Sequence, residues 1–192
     1  MSTKRLEAFS DAVIAIVITI MVLELHPPEG TKLADLRALT PTFLSYVLSF
    51  VYLGIYWNNH HHLFQAARRV NGAILWANLH LLFWLSLFPF ATSWMGHHSF
   101  AQVPTAVYGF VFLMAAIAYK ILQQAIVHDE GRDSQFAAAL GTDLKGKLSP
   151  VVYLVCIPLA LVNQWVAVAG YVLVAILWLV PDRRLLHLAT DI

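Results

Sequence analysis

Long apolar stretches alternate with short polar breaks along the whole chain. Crossing about 30 Å of hydrocarbon takes about 20 mainly apolar helical residues. By this criterion the pattern predicts six membrane-spanning helices, at Arg5–Leu25, Phe43–Asn59, Ala73–Trp94, Pro104–Val127, Leu148–Val162 and Trp165–Val180. We therefore expect an all-α membrane protein that forms a single six-helix domain over residues 1–192.

The last two predicted spans are separated only by Asn163 and Gln164. One continuous helix over residues 151–180 would be about 45 Å long, which exceeds the hydrocarbon thickness and would place both amides at mid-depth. A hairpin that turns at these amides puts them at an interface instead. The sequence therefore predicts two short helices here.

The basic residues are distributed unevenly between the two sides of this topology. With six spans both termini share one side, and ten of the twelve basic residues fall there. They are Lys4, Arg5, Arg68, Arg69, Lys120, Arg132, Lys145, Lys147, Arg183 and Arg184, against Lys32 and Arg37 on the other side. Because cytoplasmic loops carry an excess of Lys and Arg, both termini are predicted to be cytoplasmic.

Composition agrees with a lipid-covered exterior. The chain is 59% hydrophobic and 12% charged, against about a quarter charged in soluble domains. A net charge of +1 with no basic cluster longer than two adjacent residues gives no indication of a nucleic-acid partner. The single cysteine, Cys156, excludes an intrachain disulfide and is expected to be a packing residue. No cleavage pattern follows the first apolar stretch, which is therefore expected to be retained.

The first predicted span differs from the others because it carries ionisable residues, among them Arg5, Glu7 and Asp11. A charged side chain inside a bilayer costs about 2.5–3.5 kcal/mol on insertion scales, so it normally faces protein or water. Phe9, Ile16 and Leu23 recur every seven residues and form one apolar stripe. Asp11 is about 140° from Ile16 around the helix. The stripe by itself is more typical of helix packing than of a pore.

Specific motifs then give a resemblance. Residues Arg5–Asp11 match RxxxFSD, which resembles the first-helix signature of the endolysosomal and prokaryotic potassium-channel family (transmembrane protein 175 type). Residues Trp57–His60 are similar to the WxxH of its second helix, and Asn78 with Leu87–Phe90 to its third-helix pattern. The likeness covers the whole chain by number of spans and about a third of it by motif.

The resemblance implies a single-repeat subunit of a homotetrameric, leak-type potassium-selective channel whose first helices line the pore. Carried over by position, the hydrophobic constriction is Ile16, Ile20 and Leu23, with the Thr19 hydroxyl in the same region. The implied structural motif consists of Arg5, Phe9, Ser10, Asp11, Trp57, His60 and Asn78. The sequence contains no TVGYG-like loop that would supply a carbonyl filter. Permeant potassium ions are expected and no cofactor, and a prokaryotic member would reside in the cell membrane.

Alternative functions stay open on the sequence alone. A secondary ion or solute transporter would explain helix-breaking prolines such as Pro89 and Pro158, although no internal repeat is visible. An intramembrane enzyme would need a convergent nucleophile or metal set, and a non-conducting scaffold would need neither. His60, His61 and His62 point about 100° apart on a helix, so they are not expected to converge on one metal ion.

Overall fold

The structure, a computed structural model, describes residues 2–67, 69–131 and 143–179. These residues form α-helices joined by short connections and one 3-10 helix, Leu33–Leu39, and they include no strand. The α-helices are α1 (Thr3–Leu23), α2 (Thr40–Ala66), α3 (Gly72–Ser86), α4 (Phe88–His97), α5 (Gln102–Glu130), α6 (Leu144–Ala160) and α7 (Gln164–Leu179). With α3 and α4 taken together, the described helices form six successive segments at the places where the hydropathy pattern predicts spans.

Four of these segments are long and apolar enough to cross a membrane: Thr3–Leu23, Leu33–Gln65, Gly72–His97 and Gln102–Glu130. The described parts of α6 and α7 are shorter, with 17 and 16 residues. At 1.5 Å per residue they measure about 26 and 24 Å, somewhat less than the hydrocarbon thickness.

The third predicted span is confirmed as one apolar segment, Gly72–His97, and this segment consists of two helices. The helix is interrupted at Leu87, which lies between the last residue of α3 and the first residue of α4. Pro89 lies in the first turn of α4. Proline has no backbone N–H, so it cannot continue the hydrogen-bond ladder of α3, but it is well suited to the first turn of a new helix. The start of α3 is capped by Asn71, whose side chain accepts a 2.9 Å hydrogen bond from the Ile74 N–H.

The predicted hairpin at the end of the chain is confirmed. α6 ends at Ala160, and α7 begins at Gln164. The Asn163 side chain accepts a 3.0 Å hydrogen bond from the Trp165 N–H in the turn. At the opposite ends of the two helices, the Trp178 indole donates to Ser149 Oγ at 2.8 Å. The buried Cys156 side chain of α6 packs against Gly170 of α7.

An aromatic cluster joins α2, α5, α6 and α7. Phe112 of α5 packs on Tyr52 with ring centroids 4.0 Å apart and also contacts Tyr153 and Tyr171. The Tyr52 hydroxyl donates to the Tyr171 carbonyl at 2.6 Å and accepts from the Tyr153 hydroxyl at 3.2 Å. The buried hydroxyls of Tyr52 and Tyr153 are thus hydrogen-bonded within the apolar core. α1 packs outside this cluster, against α2, α3 and α4.

Contacts between helix ends define one end of the bundle. Glu7 at the start of α1 bonds His61 near the end of α2. The Arg69 side chain donates to Asp129, at the end of α5, at 3.0 Å. Lys120 lies ten residues before the end of α5, about 15 Å further into the bundle. Four residues of the predicted charge asymmetry, Arg68, Arg132, Arg183 and Arg184, lie outside the described residues.

Candidate functional site

One face of α1 is apolar and uncovered. Leu23 is 72% exposed, Ile16 56% and Ile20 42%. Thr19 lies on the same face, where its hydroxyl donates a 2.9 Å hydrogen bond to the Ile16 carbonyl. We call Ile16, Thr19, Ile20 and Leu23 the α1 ridge. A contiguous apolar surface of this kind requires lipid or another protein surface to cover it.

The opposite face of α1 fixes the direction of the ridge. The buried side chains are spaced three or four residues apart, as one face of a helix requires. They are Leu6, Ser10, Ile14, Val17 and Met21. Because this face packs against α2, α3 and α4, the α1 ridge points away from its own bundle.

A buried polar chain ties α1 to α3 and α2. The Ser10 hydroxyl donates to the Leu6 carbonyl at 2.9 Å and accepts from the Asn78 amide nitrogen at 2.9 Å. The other end of the Asn78 amide, its Oδ1, lies 2.8 Å from His60 Nε2. Since Oδ1 can only accept, His60 Nε2 must carry the proton in this arrangement. Ser10, His60 and Asn78 are all 0% exposed.

His60 keeps one unsatisfied nitrogen. Its Nδ1 is buried and has no hydrogen-bond partner among the described residues. The ring instead packs against Phe64, with centroids 4.6 Å apart. His60 is therefore oriented by a single hydrogen bond and by aromatic packing.

A second contact between α1 and α2 lies closer to the helix ends. The Trp57 indole donates to Asp11 Oδ1 at 3.1 Å. One helical turn before Asp11 on α1 and one turn after Trp57 on α2, His61 Nδ1 lies 2.6 Å from Glu7 Oε1. Gln65 contacts the other nitrogen of His61 at 2.8 Å. Neither Glu7 nor His61 is among the site residues predicted from the sequence. The matching i, i+4 spacing of Glu7–Asp11 and Trp57–His61 is the signal that could have found them.

Only some residues of the predicted structural motif contact one another in the structure. The structure brings Ser10, His60 and Asn78 together and pairs Asp11 with Trp57. Phe9 is 49% exposed. Arg5 is also exposed, and no hydrogen bond or ion pair is found for its side chain within the described part of the chain. His60 and His61 diverge towards α3 and α1, and the described residues contain no cluster of three His, Cys, Asp or Glu side chains suited to a metal ion.

An open groove of about 1170 Å³ runs between α1 and α4. We call it the α1–α4 groove. Ile16 and Ile20 of the α1 ridge share it with Phe90 and Trp94 of α4. Towards the end of α1 its lining becomes polar and includes Glu24, Ser93, His97 and His98. The candidate pore surface and a carboxylate thus face one continuous space.

These features define an all-helical, multi-pass membrane protein whose first helix turns an uncovered apolar ridge outward and is held from behind by buried polar contacts. Residues 5–89 match the family model of the endosomal/lysosomal potassium channel TMEM175. The chain is 53% identical over 185 residues to a potassium channel of a Chryseobacterium species, which covers 96% of each chain. The chain belongs to the TMEM175 family, and it is a membrane protein and not an enzyme.

Further relatives agree with this assignment. A potassium channel of Chamaesiphon minutus is 31% identical over 186 residues, covering 91% of this chain and 92% of the relative. The crystal structure of a lysosomal potassium-selective channel TMEM175 homolog from Chamaesiphon minutus superimposes with a TM-score of 0.82 at 29% identity, covering 94% of this chain and 97% of that one. The human endosomal/lysosomal proton channel TMEM175 is 27% identical over 130 residues, covering 65% of this chain and 25% of the human protein.

Proposed function

We propose that this protein is a leak-type, potassium-selective channel, formed by four copies of the chain around a pore lined by α1. The observation that carries the proposal is the α1 ridge, an apolar helix face that the subunit itself leaves uncovered. The bacterial relatives named potassium channels, which align with nearly the whole chain, support the same function. The match to the potassium-selective TMEM175 homolog supports a common subunit fold.

Conduction through such a pore is controlled by hydrophobic side chains. Rings of Ile16, Ile20 and Leu23 from four subunits form a narrow neck that excludes water when it is closed. Small radial movements of α1 admit water and ions. Potassium passes more readily than sodium because removing its hydration water costs less free energy. Thr19 uses its hydroxyl proton on the Ile16 carbonyl, which leaves its oxygen lone pairs free for a partly dehydrated cation.

The polar contacts behind α1 hold the ridge in place. The Ser10–Asn78–His60 chain fixes the rotation of α1 relative to α2 and α3. The Asp11–Trp57 hydrogen bond fixes the helix near its first turns. Arg5 is exposed in the single chain and is assigned to a contact with another subunit. The motif residues therefore support the pore without lining it.

The topology of the proposed channel has six spans per subunit, with α3 and α4 forming one of them and α6 and α7 the last two. The end of the bundle that carries Lys4, Arg5 and Arg69 faces the cytoplasm, and the end that carries Lys32 and Arg37 faces outward. This assignment follows the positive-inside rule. Both termini are then cytoplasmic, and the channel lies in the cell membrane of a bacterium.

Purified protein reconstituted in planar bilayers tests the proposal. With KCl on one side and NaCl at the same concentration on the other, the current should reverse at a voltage at which the KCl side is negative, because potassium permeates more readily than sodium. The detergent-solubilised particle should contain four chains of 21.5 kDa each. Because animal relatives are named proton channels, a pH gradient in the absence of potassium measures proton current separately. Solute-coupled flux at transporter rates, or a monomeric particle, would contradict the proposal.

A further inference from the structure

The strongest unassigned feature is the polar end of the α1–α4 groove. Glu24 is the residue that follows Leu23, at the end of α1. Its carboxylate lines the same groove as Ile16 and Ile20. Glu24 is only partly buried. The carboxylate thus lies at the end of the proposed pore helix, in the same groove as two residues of the α1 ridge.

The orientation of this carboxylate is fixed by hydrogen bonds from α4. The Ser93 hydroxyl donates to Glu24 Oε2 at 2.6 Å. His97 Nδ1 lies 3.0 Å from the Ser93 carbonyl and 3.1 Å from Ser93 Oγ. The carbonyl can only accept and the single Ser93 proton is used on Glu24, so His97 Nδ1 must be the donor. A chain of donors therefore runs from His97 through Ser93 to Glu24.

The second carboxylate oxygen, Oε1, has no hydrogen bond among the described residues. A carboxylate that is held at one oxygen and open at the other offers a lone-pair surface to a passing cation. Three histidines lie near it: His26, whose Nδ1 is 3.1 Å from the Glu24 carbonyl, and His97 and His98, which line the groove. Both α1, which Glu24 directly follows, and Ser93 of α4 thus determine where the Glu24 carboxylate lies.

We infer that Glu24 is a cation-attracting residue at the outer mouth of the channel, which raises the local concentration of monovalent cations before they enter the hydrophobic neck. The inference rests on the proposed function, because it requires that α1 lines the pore. In a tetramer four such carboxylates surround the entrance, and rings of acidic side chains favour cations in other channels. Carboxylates focus their field into a cleft with low-dielectric walls, which increases the entry rate of cations.

Single-channel recordings of Glu24→Gln at two salt concentrations test the inference. In about 10 mM KCl the Debye length is about 30 Å, and in about 1 M KCl it is about 3 Å. We expect the current carried by potassium from the Glu24 side to fall roughly three-fold in low salt and to match that of the wild type in high salt. Current in the opposite direction should change less.

Three variants serve as controls. Glu24→Asp keeps the charge and should keep the low-salt current. Glu29→Gln makes the same chemical change at an exposed loop residue that does not line the groove, and it should conduct like the wild type. Ser93→Ala removes the hydrogen bond to Glu24 but keeps the carboxylate, so the low-salt current should largely persist.

Several results would overturn the inference. They are an unchanged low-salt current in Glu24→Gln, an equal loss at both salt concentrations, a loss in Glu29→Gln as large as in Glu24→Gln, or a Ser93→Ala variant that matches Glu24→Gln. The last result would assign Glu24 a structural role through Ser93. Absence of potassium current from the wild type would instead refute the proposed function, and this outcome is visible before any variant is compared.

Discussion

At the scale of single residues, Asn78 has the most constrained position in the site. Its amide is used at both ends, donating to Ser10 on α1 and accepting from His60 on α2. All three residues are fully buried, so no water replaces a lost partner. A buried polar group without a partner costs about 1–3 kcal/mol, which makes this chain sensitive to a single substitution.

We predict that Asn78→Leu destabilises the protein by about 1–3 kcal/mol, because it leaves the His60 N–H without an acceptor. Thermal unfolding of the detergent-solubilised protein should show a lower Tm. Asn59→Leu is the matched control, since the Asn59 amide is partly buried and bonds only the Ile55 carbonyl of its own helix. Equal Tm values for Asn78→Leu and the wild type would show that the buried hydrogen bonds of Asn78 contribute nothing to the stability of the protein.

The α1 ridge residues act through their apolar character. Ile16→Asn and Leu23→Asn should wet the proposed neck, raise the single-channel conductance and reduce the preference for potassium over sodium. Thr19→Ala should lower the potassium preference. Reversal potentials in mixed potassium and sodium solutions measure the selectivity, and single-channel currents measure the conductance. Leu154→Asn provides a control, since Leu154 is 62% exposed on α6. Unchanged selectivity and conductance in all three ridge variants would exclude the ridge from the pore.

At the scale of helices, close approach between α6 and α7 depends on one glycine. A Cβ atom at Gly170 would meet Cys156 Sγ, whereas the next neighbour, Val152 Cγ1, would be 3.8 Å away. The small residue lets the two short helices of the hairpin pack at close range. This contact also explains why Cys156 is buried beside α7.

We predict that Gly170→Ala destabilises the protein by about 1–3 kcal/mol through overpacking, and that adding Cys156→Ala restores most of the loss by removing the sulfur. Thermal unfolding of both single variants and the double variant forms the required cycle. Gly54→Ala is the matched control, since a Cβ there would meet nothing within 4 Å. Additive effects of the two substitutions would contradict the proposed contact.

At the scale of the whole molecule, the subunit buries its aromatic core but leaves the α1 ridge and the α1–α4 groove open. Lipid can cover an apolar ridge, and so can a symmetry-related copy. Cyclic oligomers bring the same residue of every subunit to one axis. If the α1 ridge faces the symmetry axis, the copies of Ile16 lie close together, and if it faces lipid, they lie far apart.

Crosslinking tests this arrangement. In a Cys156→Ala background, Ile16→Cys should form dimers and higher oligomers with a short thiol-reactive crosslinker, as seen on a non-reducing gel. Leu154→Cys, on the exposed face of α6, should stay largely monomeric under the same conditions. The opposite pattern would place α6 at the axis and α1 against lipid.

The helical class, the helical segments and the terminal hairpin follow from the sequence. Hydropathy and length are properties of each segment alone, so the pattern locates the segments without knowledge of their neighbours. The sequence shows Pro89 inside an otherwise continuous apolar stretch, but it does not decide whether that stretch stays one helix. Whether proline kinks a helix or starts a new one depends on how the surrounding helices meet the freed backbone groups.

The candidate site likewise has features that the sequence predicts and features that only the tertiary structure shows. The period of apolar residues on α1 and the RxxxFSD motif are local, and they select the ridge and most of the residues behind it. The pairing of Glu7 with His61, 54 residues apart, and of Ser10 with Asn78, 68 residues apart, depends on the relative rotation and depth of three helices. A periodic sequence pattern fixes neither the relative rotation nor the relative depth of packed helices. The sequence thus located the stripe that Ile16, Ile20 and Leu23 form on α1. Only the tertiary structure decided that this stripe points outward, because burial of the face that carries Leu6 and Met21 sets its direction.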